Sequence, residues 1–140
     1  MTDTNVFIYA HDPGAAAKKV RAVSHIAELA ARSELTVSAQ VLNEFYARAT
    51  RPNRPPALTS DAAAQIVRDI ARSATVLSLT PDITLRALQG VADYGLSWWD
   101  SLIWAMAREN GITVIYTEDL PGMAEIEGVR YINPFADVRT

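Results

Sequence analysis

Ile112-Thr-Val-Ile-Tyr-Thr-Glu-Asp-Leu120 (ITVIYTEDL) is the stretch on which the fold turns. Its first five residues are β-branched or aromatic and almost wholly apolar. Such a run reads as a strand buried on both faces, and strands of that kind belong to parallel sheets covered by helices. Two acids, Glu118 and Asp119, follow it directly. Acids just past the carboxyl end of a parallel strand stand where α/β folds gather their sites.

Outward from this strand, helices and short apolar runs alternate. Ser97 caps a helix from Trp98 to Asn110, and Gly111 closes it. Thr80-Pro81-Asp82 opens a helix that Gly95 ends, and Thr59-Ser60-Asp61 opens one to Ser73 with Ala63, Ile66, Val67 and Ile70 as its stripe. Arg51-Pro-Asn-Arg-Pro-Pro56 is a loop, because three prolines in six residues break helix and sheet alike. Ala39–Thr50 has a helical pattern, with Tyr46 and Phe45 expected in the core. Leu35–Ser38, Thr75–Leu79 and Val129–Ile132 read as further strands. Asp12-Pro13 is expected to start a helix to Arg32 with Ala16, Val20, Val23, Ala27 and Ala30 buried. The pattern predicts an α/β fold, a central mostly parallel sheet flanked by helices on both faces, in one domain over residues 1–140. The opening MTDTNVFIYAHD has two readings: a strand over Thr4–Ala10, or a very short strand ending at Asp3 with helix from Asn5 onward.

Composition narrows the class. A 49% hydrophobic content argues for a packed core rather than disorder, and the apolar runs are too short to span a bilayer. No cysteine is present, which removes disulfides and thiolate metal sites. No signal peptide is recognisable, and a cytoplasmic protein without a membrane association is expected. The net charge of −3 does not announce a nucleic-acid binder.

Four segments set an acid beside apolar sequence: Asp3, Glu44 in VLNEFY, Asp100 in SWWDSLIWAMA, and Asp119 in VIYTEDL. Each has an ordinary structural reading. Ser97-Trp-Trp-Asp100 matches a capping box. Glu44 suits a solvated helix face, Glu118-Asp119 a polar turn, and Asp3 a frayed end. Taken together they read differently. Two carboxylates 4 Å apart repel by about 4 kcal/mol at an effective dielectric of 20. Several gathered at one sheet edge must take up protons or bind a cation. Oxygen-only ligands suit a hard ion such as Mg²⁺ or Mn²⁺, and an ion so held commonly serves phosphoryl transfer or hydrolysis.

At these residues the sequence resembles the PIN-domain family, and within it the VapC-type toxin ribonucleases. The pieces are DTNVFIYA, VLNEFY, LSWWDSLIWAMA, VIYTEDL and GVRYINPF, in the family's order. The resemblance implies a PIN fold and a Mg²⁺- or Mn²⁺-dependent endoribonuclease whose products carry a 5′-phosphate and a 3′-hydroxyl. It implies Asp3 and Asp100 as main metal ligands, with Glu44 and Asp119 completing the catalytic pocket. Thr4, Asn5 and Thr117 fall where the family has small polar residues that orient the acids, and Asn5 and Thr117 are candidate substrate contacts. A cognate antitoxin and a homodimer, the latter using apolar helix surface, are the implied partners. Two departures stand out: only two residues precede Asp3, and Pro121-Gly122 follows TEDL in place of a polar pair.

Arg48 and Arg51, with Arg54, follow Glu44 and have two readings: contacts to RNA phosphates, or a solvated loop whose arginines serve solubility. Lys18 and Lys19 read as the wet face of a helix. Trp98, Trp99 and Trp104 read as core or interface, with base stacking the alternative. His11 reads as a loop histidine, and His25 has no ligand partner at useful spacing. A receiver domain or a haloacid-dehalogenase phosphatase also sets acids at strand ends. Both need a late lysine, whereas the only lysines are Lys18 and Lys19, and the phosphatase needs an acid where Asn5 stands. The remaining alternative is a non-catalytic PIN-like module that binds nucleic acid or protein.

Overall fold

The computed structural model describes residues 1–119 and 121–138. Leu120, the last residue of the TEDL motif, lies outside the described residues. Among the described residues, six helices, α1 (Thr4–His11), α2 (Ala16–Ala31), α3 (Ala39–Ala49), α4 (Ser60–Ser73), α5 (Pro81–Tyr94) and α6 (Trp98–Glu109), come in consecutive pairs, each pair followed by a short strand. The strands are β1 (Thr36–Ser38), β2 (Thr75–Leu77), β3 (Val114–Tyr116), β4 (Glu125–Ile126) and β5 (Val129–Ile132). β1 pairs in parallel with β2, and β3 with β5. Met1–Asp3 joins the two halves: Thr2 N–H donates to the Thr36 carbonyl at 2.8 Å, and Thr2 bridges Tyr116 in parallel. The order is therefore β2, β1, residues 1–3, β3, β5, β4, with only β4 antiparallel.

The opening segment thus takes the second of its two readings. Its strand ends at Asp3, which caps α1 by accepting the Thr4 N–H at 2.6 Å. Six of the eight residues of α1 are buried, so the helix is apolar nearly all round. That is why it carries no helical period and resembles a strand on paper.

The start of α2 needs correction. Asp12 ends α1, and its Oδ1 accepts the Gly14 N–H at 2.7 Å, so Asp12-Pro13-Gly14 is a turn. α2 begins at Ala16 with no side-chain cap. The expected stripe also has the wrong phase. Ala22, His25 and Leu29 are buried, while Val20 and Val23 are 72% and 50% exposed. His25 lies edge-on to Tyr116, with ring centres 4.4 Å apart, and α2 turns that face inward. Tyr46 is exposed rather than in the core, whereas Phe45 is fully buried. Lys18 is not simply wet face: it pairs with Glu118 and lies 4.4 Å over the Tyr9 ring. β4 was not foreseen, since two residues are too few to show a pattern.

Val37, Phe45, Ile115, Trp104 and Phe7 belong to the main core. A smaller cluster of Val6, Ala10, Ala22 and Phe135 seals α1 against α2. The NPF segment closes it: Phe135 lies edge-on to Tyr9, and Arg21 Nε donates to the Pro134 carbonyl at 3.0 Å. Among the described residues, no helix is long and apolar enough to cross a membrane.

Candidate active site

All four acids line one cleft of about 740 Å³. Each arrives on a different element. Asp3 ends the central strand and caps α1. Glu44 lies on α3, one helix after β1. Asp100 is in the first turn of α6, and Asp119 follows β3. Arg48 and Arg51 line the same cleft from the end of α3 and the loop beyond it. Arg54 is exposed and is not among the lining residues.

Asn5 and Thr117 form the frame between Asp3 and Asp119. Asn5 Nδ2 donates to Asp3 Oδ2 at 3.0 Å, to Thr117 Oγ1 at 2.9 Å and to Asp119 Oδ2 at 3.3 Å. The Thr117 hydroxyl donates to Asp3 Oδ2 at 2.8 Å and accepts the Asp119 N–H at 3.0 Å. Both residues are buried and neither lines the cleft, so their bonds orient the acids. Thr4 donates to Glu44 Oε2 at 3.3 Å, and Gln40 Nε2 to Glu44 Oε1 at 2.6 Å. Gln40 was not foreseen as a site residue; its spacing four before Glu44 on a helix was the available signal. Glu118 faces away from the acids toward Lys18 and Tyr9, and its lowered pKa reflects those two hydrogen-bond partners working against partial burial.

The capping box at Asp100 is realised only in half, because its carboxylate meets the Ser97 hydroxyl and not a backbone N–H. Its N–H donates to Ser97 Oγ at 3.2 Å, and the Ser97 hydroxyl donates to Asp100 Oδ2 at 2.6 Å. Capping and lining the cleft are therefore compatible roles for this residue.

Electrostatics make the cleft unusual. Burial pushes the Asp3 carboxyl up to about 6, against the bonds from Thr117 and Thr4, and the charges of Glu44 and Asp119 add to the rise. Asp3 and Asp119 accept from one amide nitrogen, so those two oxygens lie within about 6 Å. At that distance like charges repel by about 3 kcal/mol at an effective dielectric of 20. The N-termini of α1 and α6 offset only about 0.3–1 kcal/mol each.

The donor set fits a hard divalent cation: four carboxylates, no sulfur, and one buried acid that a positive charge would relieve. Among the described residues no three His, Asp or Glu side chains are gathered closely enough to hold an ion as they stand. Glu44 and Asp100 are tied to Gln40, Thr4 and Ser97 rather than to one another. His11 takes no part, since its ring faces the Phe7 carbonyl and the Phe45 ring.

The PIN domain profile matches residues 1–126. The chain belongs to the PIN-domain family. Among solved structures it resembles a toxin–antitoxin complex from Klebsiella pneumoniae, with 18% identity, 95% of each chain covered and a TM-score of 0.69. It also resembles VapC20 of Mycobacterium tuberculosis, a sarcin-ricin loop cleaving toxin, with 24% identity, a TM-score of 0.65, and 92% of this chain and 97% of that one covered. At such identities the likeness establishes the PIN fold. No curated protein matches the chain.

Proposed function

We propose that this chain is a Mg²⁺- or Mn²⁺-dependent endoribonuclease, acting in the cytoplasm as the toxin of a toxin–antitoxin pair. The observation that carries the reading is the meeting of Asp3, Glu44, Asp100 and Asp119 in one cleft of a PIN fold, with Arg48 and Arg51 at its side. When bound, the ion supplies Lewis acidity toward a phosphate oxygen. Asp3 and Asp100 are its main holders, with Glu44 and Asp119 completing the set. Asn5 and Thr117 keep Asp3 and Asp119 in place, and Gln40 and Thr4 keep Glu44. Arg48 and Arg51 bind phosphates of the strand, supplying locally the positive charge that the chain lacks overall. Hydrolysis leaves a 5′-phosphate and a 3′-hydroxyl.

An antitoxin restrains the enzyme in this reading, and the likeness to a toxin–antitoxin complex supports it. A homodimer is the proposed assembly. Leu85, Leu88 and Val91 form an exposed apolar row on α5 that a second copy would cover.

The test is cleavage of structured and single-stranded RNA with Mn²⁺, Mg²⁺ or chelator, with a folded Asp100→Asn chain alongside. Metal-dependent cleavage lost in the variant supports the reading. Equal cleavage by both chains would assign the activity elsewhere. No cleavage by either, with RNA still bound, would favour a non-catalytic module.

A further inference from the structure

We propose that the indole of Trp99 is a stacking platform for an unpaired base of the RNA strand, set at the lip of the cleft beside Asp100. The inference rests on the ribonuclease reading and adds a substrate contact to it. The three tryptophans of α6 differ sharply in their surroundings. Trp104 is 1% exposed, and its Nε1–H donates to the Ile126 carbonyl at 3.3 Å. Trp98 is exposed but lies outside the cleft. Trp99 is 59% exposed and lines the cleft. The fold gains little from a ring of that size left in water.

Its place is fixed relative to the acids. It precedes Asp100 on the first turn of α6, and its carbonyl accepts from Gln40 Nε2 at 3.5 Å, the amide that also donates to Glu44. The exposed Leu79 lines the cleft too. Arg48 and Arg51 complete the pattern, and among the described residues neither forms an ion pair. An aromatic face, an apolar neighbour and unpaired cations are what a single strand needs: its bases stack and its phosphates meet arginine. A base hangs from the same sugar whose phosphate enters the cleft, so a platform lining the cleft that also holds Asp100 suits a base of that strand. A duplex keeps its bases stacked on each other and cannot use the ring.

The test is an anisotropy titration of a labelled single-stranded oligoribonucleotide at low salt in chelator, so that no strand is cut. Trp99→Ala should bind about 5- to 150-fold more weakly than the unsubstituted chain, and Trp99→Phe should be intermediate. Trp98→Ala is the matched control and should bind as the unsubstituted chain does. With an abasic oligonucleotide, the difference between the unsubstituted and Trp99→Ala chains should vanish, which no general structural defect would produce. Equal binding of the base-bearing strand by both chains overturns the platform, and does so even if Trp99→Ala loses an antitoxin instead. In that case metal-dependent cleavage, run in parallel, shows whether the ribonuclease reading stands. Neither binding nor cleavage by the unsubstituted chain overturns both.

Discussion

Gly90→Ala sets helix propensity against packing, and the structure decides between them. Gly90 is buried inside α5, where α5 meets α6. In an exposed helix the change would stabilise by about 1 kcal/mol. Here a Cβ at residue 90 would stand 2.2 Å from Ser101 Oγ and 2.8 and 2.9 Å from ring carbons of Trp104. Neither neighbour retreats cheaply. Ser101 is fully buried and donates to the Ala87 carbonyl at 2.6 Å, while Trp104 is locked by the core and by Ile126. Overpacking of this kind costs about 1–3 kcal/mol, and losing the Ser101 bond about 1 more. The net expectation is about 2 kcal/mol of destabilisation, or about 6–10 °C in Tm for a chain of this length.

Denaturant unfolding followed by circular dichroism measures the first effect. RNA cleavage measures the second, because α6 carries Asp100 and any shift of that helix moves the acid. Adding Ser101→Ala removes the closest contact, so it should recover part of the loss in the Gly90→Ala background while costing stability on its own. A Gly90→Ala chain more stable than the unsubstituted one by the propensity gain alone would refute the reasoning.

Other substitutions probe the acids directly. Asp3 titrates near 3.8 when unfolded and is pushed up to about 6 by burial in the fold, so the folded state holds its proton more tightly. Folding stability conferred by the protonated carboxyl is full below 3.8 and is lost as pH rises through 6, about 3 kcal/mol in all. In chelator, the stability of the unsubstituted chain minus that of Asp3→Asn should fall by that amount across this window, and Mn²⁺ should shrink the fall. A difference that stays flat with pH would count against a strained Asp3; taking the difference cancels His25 and the other titrating groups that do not interact with Asp3, while Glu44 and Asp119, which do, are part of what is read. Thr117→Val leaves the donors of Asn5 and the Asp119 backbone short of an acceptor. It should cost about 1–3 kcal/mol and abolish cleavage, and full activity would remove Thr117 from the frame. Lys18→Met frees Glu118 from one of its partners and loosens the loop that carries Asp119. It should raise the Mn²⁺ concentration needed for half-maximal cleavage several-fold at little cost in stability, and an unchanged metal requirement would make the pair merely structural.

The legible part of the fold was where one period rules. The ITVIY run does supply a strand, though only its last three residues, Val114–Tyr116, pair in the sheet, and Thr59, Thr80 and Ser97 mark helix starts that the structure keeps to within a residue. The segments that misled are those in which tertiary packing chose. Asn5–Ala10 shows no helical period because the helix is buried all round. α2 has two adjacent apolar faces, and it buries the one with Ala22, His25 and Leu29, with Ile26 packed beside them, while leaving Val20 and Val23 in water. The same blindness applied to Trp98, Trp99 and Trp104: identical residues at close spacing divide among open surface, cleft and core according to which way α6 is turned.

The acids were legible for a different reason. A carboxylate beside apolar sequence is conspicuous wherever it falls, whereas its neighbours are not. Asn5 and Thr117 were reached only through the family resemblance and Gln40 not at all, because they are ordinary polar residues whose place depends on which oxygen they reach, and that is set by contacts between residues as far apart as Asn5 and Asp119. Asp100 shows how two sequence readings that look like rivals can coexist: half of the capping box forms, and the residue still lines the cleft. The serine at position 97 caps α6 through the Asp100 N–H, a bond that any side chain at 100 would leave intact. The carboxylate itself is what reaches the cleft. Asp100→Asn therefore separates the two roles. It preserves the backbone bond to Ser97 and a side-chain oxygen for the Ser97 hydroxyl, while removing the charge that a cation would need. If the variant folds as stably as its parent yet has lost cleavage, the negative charge at 100 serves chemistry. If it unfolds more easily and still cuts RNA, the charge serves α6 through its first turn.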